Sequence, residues 1–559
     1  MRVHIPVSCH TKAVWLLLRQ DGAGKEREFV FSLEKTADAY EIWRCECSLE
    51  DTGLYFYRFR VQTENESFHL YRWGEHDTNM EEGGLWQLSC VTEEFSAPSW
   101  AEGAVMYQIF PDRFYKSGEC DLKDKLTPYV LHQNWNESPR WMPDEKGEVW
   151  NNDFFGGNLR GIEEKLPYLQ TLGVELIYLN PIFMAFSNHR YDTANYLRVD
   201  PLLGTEEDFK RLCDTAHGMG MRIILDGVFS HTGSRSVYFE DAANNPESPY
   251  KSWFSFKNYP TEYESWWGFK TLPCVKELDP AYLDFIVEGE DSVIAHWLRL
   301  GADGFRLDVA DELPDEFILR LKRRLRELRP DALLLGEVWE DASNKIAYGQ
   351  RRRYFIDGEL DGVMNYPWRK AVLDFARGSD GGEGLRHALE TLAEHYPASA
   401  LHCTMTMLSS HDSARALTEL AAPFEGSREA MAAHRLTEDG RALGIKRLRF
   451  AAGLQFFLPG MPSIYYGDEA GMEGCKDPFN RGTYPWGREV EDLQNHFKRL
   501  GNMRKNSPVL RHGNLAVLSC GNGKISLKRE SKDGICRGDF DATAGTFRIQ
   551  LETGEIITD

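Results

Sequence analysis

The sequence predicts an α/β protein built on a (β/α)8 TIM barrel, with an N-terminal β-sandwich module, an inserted domain after barrel strand 3 and a small C-terminal β domain. Three observations carry this. From about residue 104, short β-rich runs alternate with amphipathic helical stretches, the pattern of a parallel sheet covered by helices. Eight such runs can be placed, near Val105–Pro111, Val174–Phe183, Arg222–Ser230, Gly304–Ala310, Leu333–Trp339, Gly362–Tyr366, Thr404–Asp412 and Ser463–Asp468. Acidic residues recur at the carboxyl ends of four of them, where barrel enzymes place their chemistry.

Residues 1–98 read as all-β. Val14–Leu18 precede an Asp21-Gly22 turn, and Tyr55, Tyr57, Phe59 and Val61 alternate with Arg58 and Arg60. Ser96-Ala97-Pro98-Ser99 is the linker to a barrel spanning 99–505. The helix after the fourth strand starts at Pro314 and carries Phe317, Leu321, Leu325 and Leu328 on one face, with Arg and Lys on the other. The third strand is followed by a Trp-, Tyr- and Asn-rich stretch, Thr232 to about Leu278, without helical character, and an inserted domain is expected over about 232–280. Residues 506–559 form the short β tail.

At 42% hydrophobic and 12% aromatic residues the 559-residue chain can fill several cores, whereas its apolar runs, such as Ala13–Leu18, fall far short of the ~20 residues of a membrane span. The net charge of −22 repels nucleic acid and anionic lipid and favours a neutral ligand. Met1-Arg2-Val3-His4 leads into strand-like sequence without a secretory signal. Eleven scattered cysteines show no paired metal or redox spacing. Reduced thiols in a cytoplasm are the expectation.

The carboxylates are the informative feature. In Gly304-Phe305-Arg306-Leu307-Asp308 the two-residue spacing puts Arg306 and Asp308 on one face of a strand, and the guanidinium is expected to keep the carboxylate ionised, as a nucleophile requires. Glu337 follows Leu333-Leu334-Leu335-Gly336 and precedes Val338 and Trp339, apolar surroundings expected to raise its pKa as a proton donor requires. One acid and one carboxylate ~5 Å apart is the arrangement that cleaves glycosidic bonds with retention, and strands ~4.8 Å apart can supply it. Asp412, beside His411, would be a third carboxylate stabilising a cationic transition state. Tyr191, Trp266, Trp267, Phe269 and Trp339 offer flat faces to sugar rings, or fill core. Asp226 with His231, and His189 with Asp192, can alternatively be read as metal ligands, although each His stands beside aromatic or hydroxyl residues that suit sugar binding.

Together, Asp226–His231, Gly304–Asp308, the Glu337 segment, Ser410-His411-Asp412 and Gly460–Gly471 resemble the α-amylase superfamily of glycoside hydrolases, in order over most of the chain. The β module, Met106–Phe114, Ser187–Thr193 and Leu307–Glu312 resemble its cyclomaltodextrinase, neopullulanase and maltogenic amylase branch. That resemblance implies a retaining α-glucan hydrolase acting on α-1,4 or α-1,6 bonds in cyclodextrins, pullulan or maltooligosaccharides. It implies Asp308 as nucleophile, Glu337 as acid/base and Asp412 as stabiliser. Tyr191, His231, Arg306 and His411 would line the attacked glucose, with Asp226, His189, Glu312 and Trp339 as further sugar contacts. It also implies a homodimer formed through the N-terminal module and no required cofactor. Asp311 replaces the branch's usual Asn, and Asn158 and Ser230 replace an Asp and an Asn, which weakens a calcium site. The segment Leu272–Glu277 matches the branch's loop motif loosely. A glucan-rearranging transferase and a non-catalytic carbohydrate-binding relative are the competing readings.

Overall fold

The computed structural model describes residues 1–73, 77–92, 95–147 and 149–559. Two compact units divide the chain: Met1–Ser96 with Asp341–Glu359 and Arg386–Ala398, and Ala97–Glu340 with Leu360–Leu385 and Ser399–Asp559.

In the second unit, eight short apolar runs become parallel strands because each is buried on both faces. They are β1 (Met106–Ile109), β2 (Leu176–Leu179), β3 (Arg222–Gly227), β4 (Gly304–Leu307), β5 (Leu333–Gly336), β6 (Gly362–Val363), β7 (Met405–Met407) and β8 (Met461–Tyr465). Their order is β6-β5-β4-β3-β2-β1-β8-β7, and a parallel bridge from Met364 to Met405 joins the two ends into a barrel. Side chains alternate along a strand. Leu176 and Tyr178, Leu333 and Leu335, and Met405 and Met407 therefore fill one interior cluster with Met106, Ile224, Met364 and Met461. On β4, Phe305 turns the other way, reaching Phe229 (6.2 Å), which meets Phe317 (6.3 Å) of the helix Asp315–Leu328. Gly304 is required where it stands: a Cβ there would lie 2.0 Å from the Leu333 carbonyl oxygen of β5.

The strands stop earlier than the sequence pattern suggests. Those expected over Gly304–Ala310, Leu333–Trp339 and Thr404–Asp412 end at Leu307, Gly336 and Met407. The chain leaves the ladder to turn polar side chains into the mouth; Val309, with φ 34° and ψ 73°, adopts a left-handed conformation that no strand accommodates. Helix Asp315–Leu328 buries Phe317, Leu321 and Leu325, but Leu328, expected on the same face, is 38% exposed at its final turn.

After β3, the stretch expected to lack helix contains one, Val237–Asn244, with Ser236 Oγ accepting from the Phe239 N–H. Aromatic packing overrides a weak helical signal here: Tyr238 meets Trp253 and Phe285 at 5.3 Å, and Phe239 meets Tyr263 at 4.6 Å. The chain ends in a five-stranded antiparallel meander, Asn514–Gly521 through Ile556–Thr558, whose Phe540 packs on Phe457 at 5.7 Å.

Within Met1–Ser96, the described residues of the first unit form two antiparallel sheets. The smaller joins Arg2–Pro6, Tyr40–Arg44 and Ser32–Ala37; the larger is built around Thr11–Gln20 and Gly53–Thr63. Val3, Ile5 and Trp43 from the first share a core with Leu16, Leu18, Phe59 and Val61 from the second, which makes a sandwich.

Candidate active site

The centre of the barrel mouth is organised by one guanidinium. Arg306, fully buried, donates through Nη1 to Asp226 Oδ1 (2.7 Å) and Asp308 Oδ1 (3.0 Å), and through Nη2 to Glu337 Oε2 (2.7 Å). It comes from β4, Asp226 from within β3, and Asp308 and Glu337 stand one residue past β4 and β5. Parallel strands with adjacent carboxyl ends deliver all four side chains to one point.

The surroundings of Glu337 are not the apolar ones its sequence neighbours suggest. Oε2 also accepts from the Val309 N–H (2.9 Å), and Oε1 accepts from Trp339 Nε1 (3.0 Å) and lies 3.4 Å from the Tyr366 hydroxyl. The strained Val309 conformation is what aims that backbone N–H at the carboxylate. For Asp308 the expected direction is reversed. Burial, with the negative charges of Glu337, Asp226 and Asp412, pushes its carboxyl well above the usual range despite Arg306. Burial is the largest cause, and Arg306, divided among three carboxylates, only partly offsets it.

A hydrogen-bond relay borders this cluster. Gln108 Nε2 donates to His411 Nδ1 (3.0 Å), leaving the ring proton on Nε2, which is 2.5 Å from the Tyr191 oxygen and 3.1 Å from Asp412 Oδ2. The Tyr191 hydroxyl in turn donates to Asp226 Oδ2 (2.8 Å), as does that of Tyr178 (2.6 Å). Burial drives the His411 pKa well below 6.5 and lowers His189 to about 3 and His231 to about 4, so all three rings are neutral at neutral pH. Burial raises both tyrosines, which stay donors. His189 stacks on Tyr191 at 5.8 Å, and His231 pairs Nδ1 with Ser230 Oγ (3.0 Å) and lies 5.4 Å from Trp266. Asp412, its side chain 46% exposed, is also held by Arg481 Nη2 at 3.3 Å.

On the Glu337 side the long loop supplies aromatics. Trp266 and Trp267 stack at 4.3 Å, Trp267 meets Trp339 at 6.2 Å, and Trp267 Nε1 donates to Glu312 Oε1 (3.0 Å). Trp267, Phe269 and Trp339 are all more than two-fifths exposed, an open platform rather than core.

The residues read as alternative metal ligands are engaged by protein donors: Asp226 by Arg306 and two tyrosines, Asp192 by the Ser187 N–H (3.1 Å) and hydroxyl. At the weakened calcium position, Asn158 caps the helix Leu159–Thr171 by accepting from the Gly161 N–H (2.8 Å) and donates to the Ser117 carbonyl (2.8 Å). Its two polar ends are taken by protein groups. Among the described residues no group of three or more His, Cys, Asp or Glu side chains has metal-holding geometry.

Sequence reasoning missed Tyr178, Gln108, Tyr366, Val309, Arg481 and Asn180, whose Nδ2 donates to the Tyr191 hydroxyl oxygen (3.2 Å). Tyr178 and Asn180 were discoverable, because two-residue spacing at the end of β2 puts both on one face. Arg481 lies in a loop with no periodic signal.

The α-amylase catalytic-domain family model matches residues 108–512. The amylopullulanase of Thermoanaerobacter thermohydrosulfuricus is 36% identical over 541 residues, covering 86% of this chain and 35% of that protein. Neopullulanase 2 of Thermoactinomyces vulgaris is 33% identical over 448 residues, covering 77% and 68%. Among solved structures, the type III pullulan hydrolase from Thermococcus kodakarensis superposes with a TM-score of 0.71 at 27% identity, covering 97% of this chain and 90% of that one. The chain spans between 28% and 42% of the length of the amylopullulanases it matches. With its family model covering most of the barrel, the chain belongs to the α-amylase family.

Proposed function

We propose that the protein is a retaining hydrolase of α-1,4-glucans, and of α-1,6 bonds within them, taking maltooligosaccharides, cyclodextrins or pullulan. One observation carries the reading: Arg306 joins Asp308 and Glu337 through its two terminal nitrogens. A shared guanidinium holds the two carboxyl groups side by side, and a close carboxyl pair is what a retaining glycosidase uses.

In the first step Glu337 protonates the glycosidic oxygen while Asp308 Oδ attacks the anomeric carbon, and the sugar is left as a β-linked ester on Asp308. Glu337, now ionised, takes a proton from water, whose oxygen attacks the same carbon and releases Asp308. Two inversions leave the α configuration. Arg306 offsets the charge of the three carboxylates, Asp412 faces the developing oxocarbenium ion, and neutral His231, His411 and Tyr191 bond sugar hydroxyls. No step is routed through a metal.

The test is the anomer first released from maltotriose, followed by proton NMR. An α-anomer is expected, and a β-anomer would overturn the assignment. A second reading, transfer to a sugar acceptor in place of water, is favoured by the exposed Trp267–Trp339 platform beside Glu337. The balance of longer and shorter products at high substrate separates the two. The chain's three candidate catalytic carboxylates weigh against a purely binding relative. A cytoplasmic homodimer joined through the N-terminal sandwich completes the proposal, and a monomer in light scattering would remove that part.

A further inference from the structure

A cavity of about 280 Å³ opens among the loops that follow β1, β7 and β8, outside the cluster around Arg306. None of the residues singled out in the sequence lines it. Trp141 and Phe479, with ring centroids 6.1 Å apart and planes inclined by 57°, form an apolar wall with Met431. Glu137, Glu473, Arg435 and Arg488 line it with groups of both signs.

One short stretch of sequence and one chain of contacts tie this cavity to the reacting end of the site. Arg481, which holds Asp412, lies in the sequence between Phe479 and Gly482, both of which line the cavity. On another wall, Glu137 bonds His132 (2.5 Å), His132 bonds Asp153 (3.0 Å), and Asp153 accepts from Asn188 (2.8 Å), the neighbour of His189. Strand order then supplies a direction. In the ring of eight, β8 and β1 stand across the barrel from β4 and β5. The proton donor of a glycosidase lies on the leaving-group side. Glu337, Trp339, Trp267 and Glu312 therefore mark the leaving group, and the loops after β7, β8 and β1 mark the arm that keeps the attacked sugar.

From this placement we infer that the cavity is a distal subsite for one glucose unit of that retained arm, several units behind the bond being cut. The chemistry of its walls selects a sugar over other ligands. Flat rings match the C–H face of a pyranose, and planar carboxylate and guanidinium groups pair with vicinal hydroxyls. Its two carboxylates, Glu137 and Glu473, face two guanidiniums, Arg435 and Arg488, with His434 beside them, so no single sign of charge dominates, in a chain whose charge of −22 already disfavours anions. The enzyme would therefore favour long linear chains over short ones, beyond what the central subsite dictates. This inference rests on the hydrolase reading above.

The test separates the two. In full-length Asp308→Asn protein, titration calorimetry with maltotriose and maltoheptaose reads binding without turnover. The expected result is tighter binding of maltoheptaose, and a loss of about tenfold in that affinity, roughly one factor of ten in Kd, when Trp141→Leu is added, with maltotriose affinity unchanged. In the otherwise native enzyme, Trp141→Leu is expected to lower kcat/KM on maltoheptaose by the same factor and to spare maltotriose. Should that variant fail to fold, Phe479→Leu is read in its place. Equal losses on both sugars, or none on the longer one, would overturn the subsite. Absence of any maltotriose binding to Asp308→Asn would instead strike the proposed function.

Discussion

Arg306 shows how a buried charge can be tolerated and used at once. Isolated in a barrel mouth it would be costly, and three carboxylates around one cation are individually costly too. Together they remain negative overall, and burial with that excess charge raises the pKa of Asp308. Because its folded-state pKa lies above the unfolded value, ionising Asp308 works against the folded state, and the penalty is present above the folded pKa and lost as pH falls below it. Asp308→Asn removes a charge while keeping shape. It is expected to lower kcat by about 10³ or more and yet to leave Tm unchanged or raised at pH 7, on the order of 1 kcal/mol. The gain should shrink toward pH 4, where the native carboxyl is itself protonated. Thermal scans across that range, together with turnover, check both halves.

At the scale of elements, function sits where strands stop and loops begin. The loop after β3 is held by aromatic contacts, Tyr238 on Trp253, Trp253 on Phe285 just beyond the loop, and Phe239 on Tyr263, while Trp266 and Trp267 stack on each other toward the cleft. Trp267 adopts φ 49° and ψ 25°, a left-handed conformation unusual for a bulky residue, and bonds Glu312. Trp267→Ala is expected to cut the share of transfer products at high substrate several-fold while hydrolysis of an aryl α-maltoside stays within about twofold, since aromatic contacts are worth ~0.5–1.5 kcal/mol. Product chromatography reads the first and release of the aryl group the second. After β1, Asn158 ties the Ser117 carbonyl to a helix N-terminus, with its own amide oxygen accepting from the Gly161 N–H. Treatment with a chelator is therefore expected to leave Tm within about 1 °C, whereas Asn158→Ala should cost ~1 kcal/mol as a lost cap. A fall in Tm on chelation, restored by calcium, would contradict this.

The whole molecule carries a charge of −22, and self-repulsion at low ionic strength opposes its compact state. Raising NaCl from about 20 mM to 300 mM, which shortens the screening length to below ~10 Å, is expected to raise Tm by a few degrees. The same change should leave kcat/KM on a neutral maltooligosaccharide nearly constant, because no long-range field steers that substrate. Differential scanning and initial rates at the two salt concentrations are the measurements. What the sequence determined by itself is local or modular: period-two runs and the helix from Asp315, the all-β start, and the residues Asp226, Arg306, Asp308, Glu337 and Asp412 at strand ends. Those signals survive because side-chain direction follows directly from spacing along one element. The tertiary structure decided what depends on segments far apart in the chain. It set where each strand ends, turned Val309 toward Glu337, brought Gln108, Tyr178 and Arg481 to the site, and reversed the expected pKa of Asp308. The physical reason is that electrostatic and hydrogen-bond energies depend on distances through space, and closing the barrel sets those distances only after all eight strands have met.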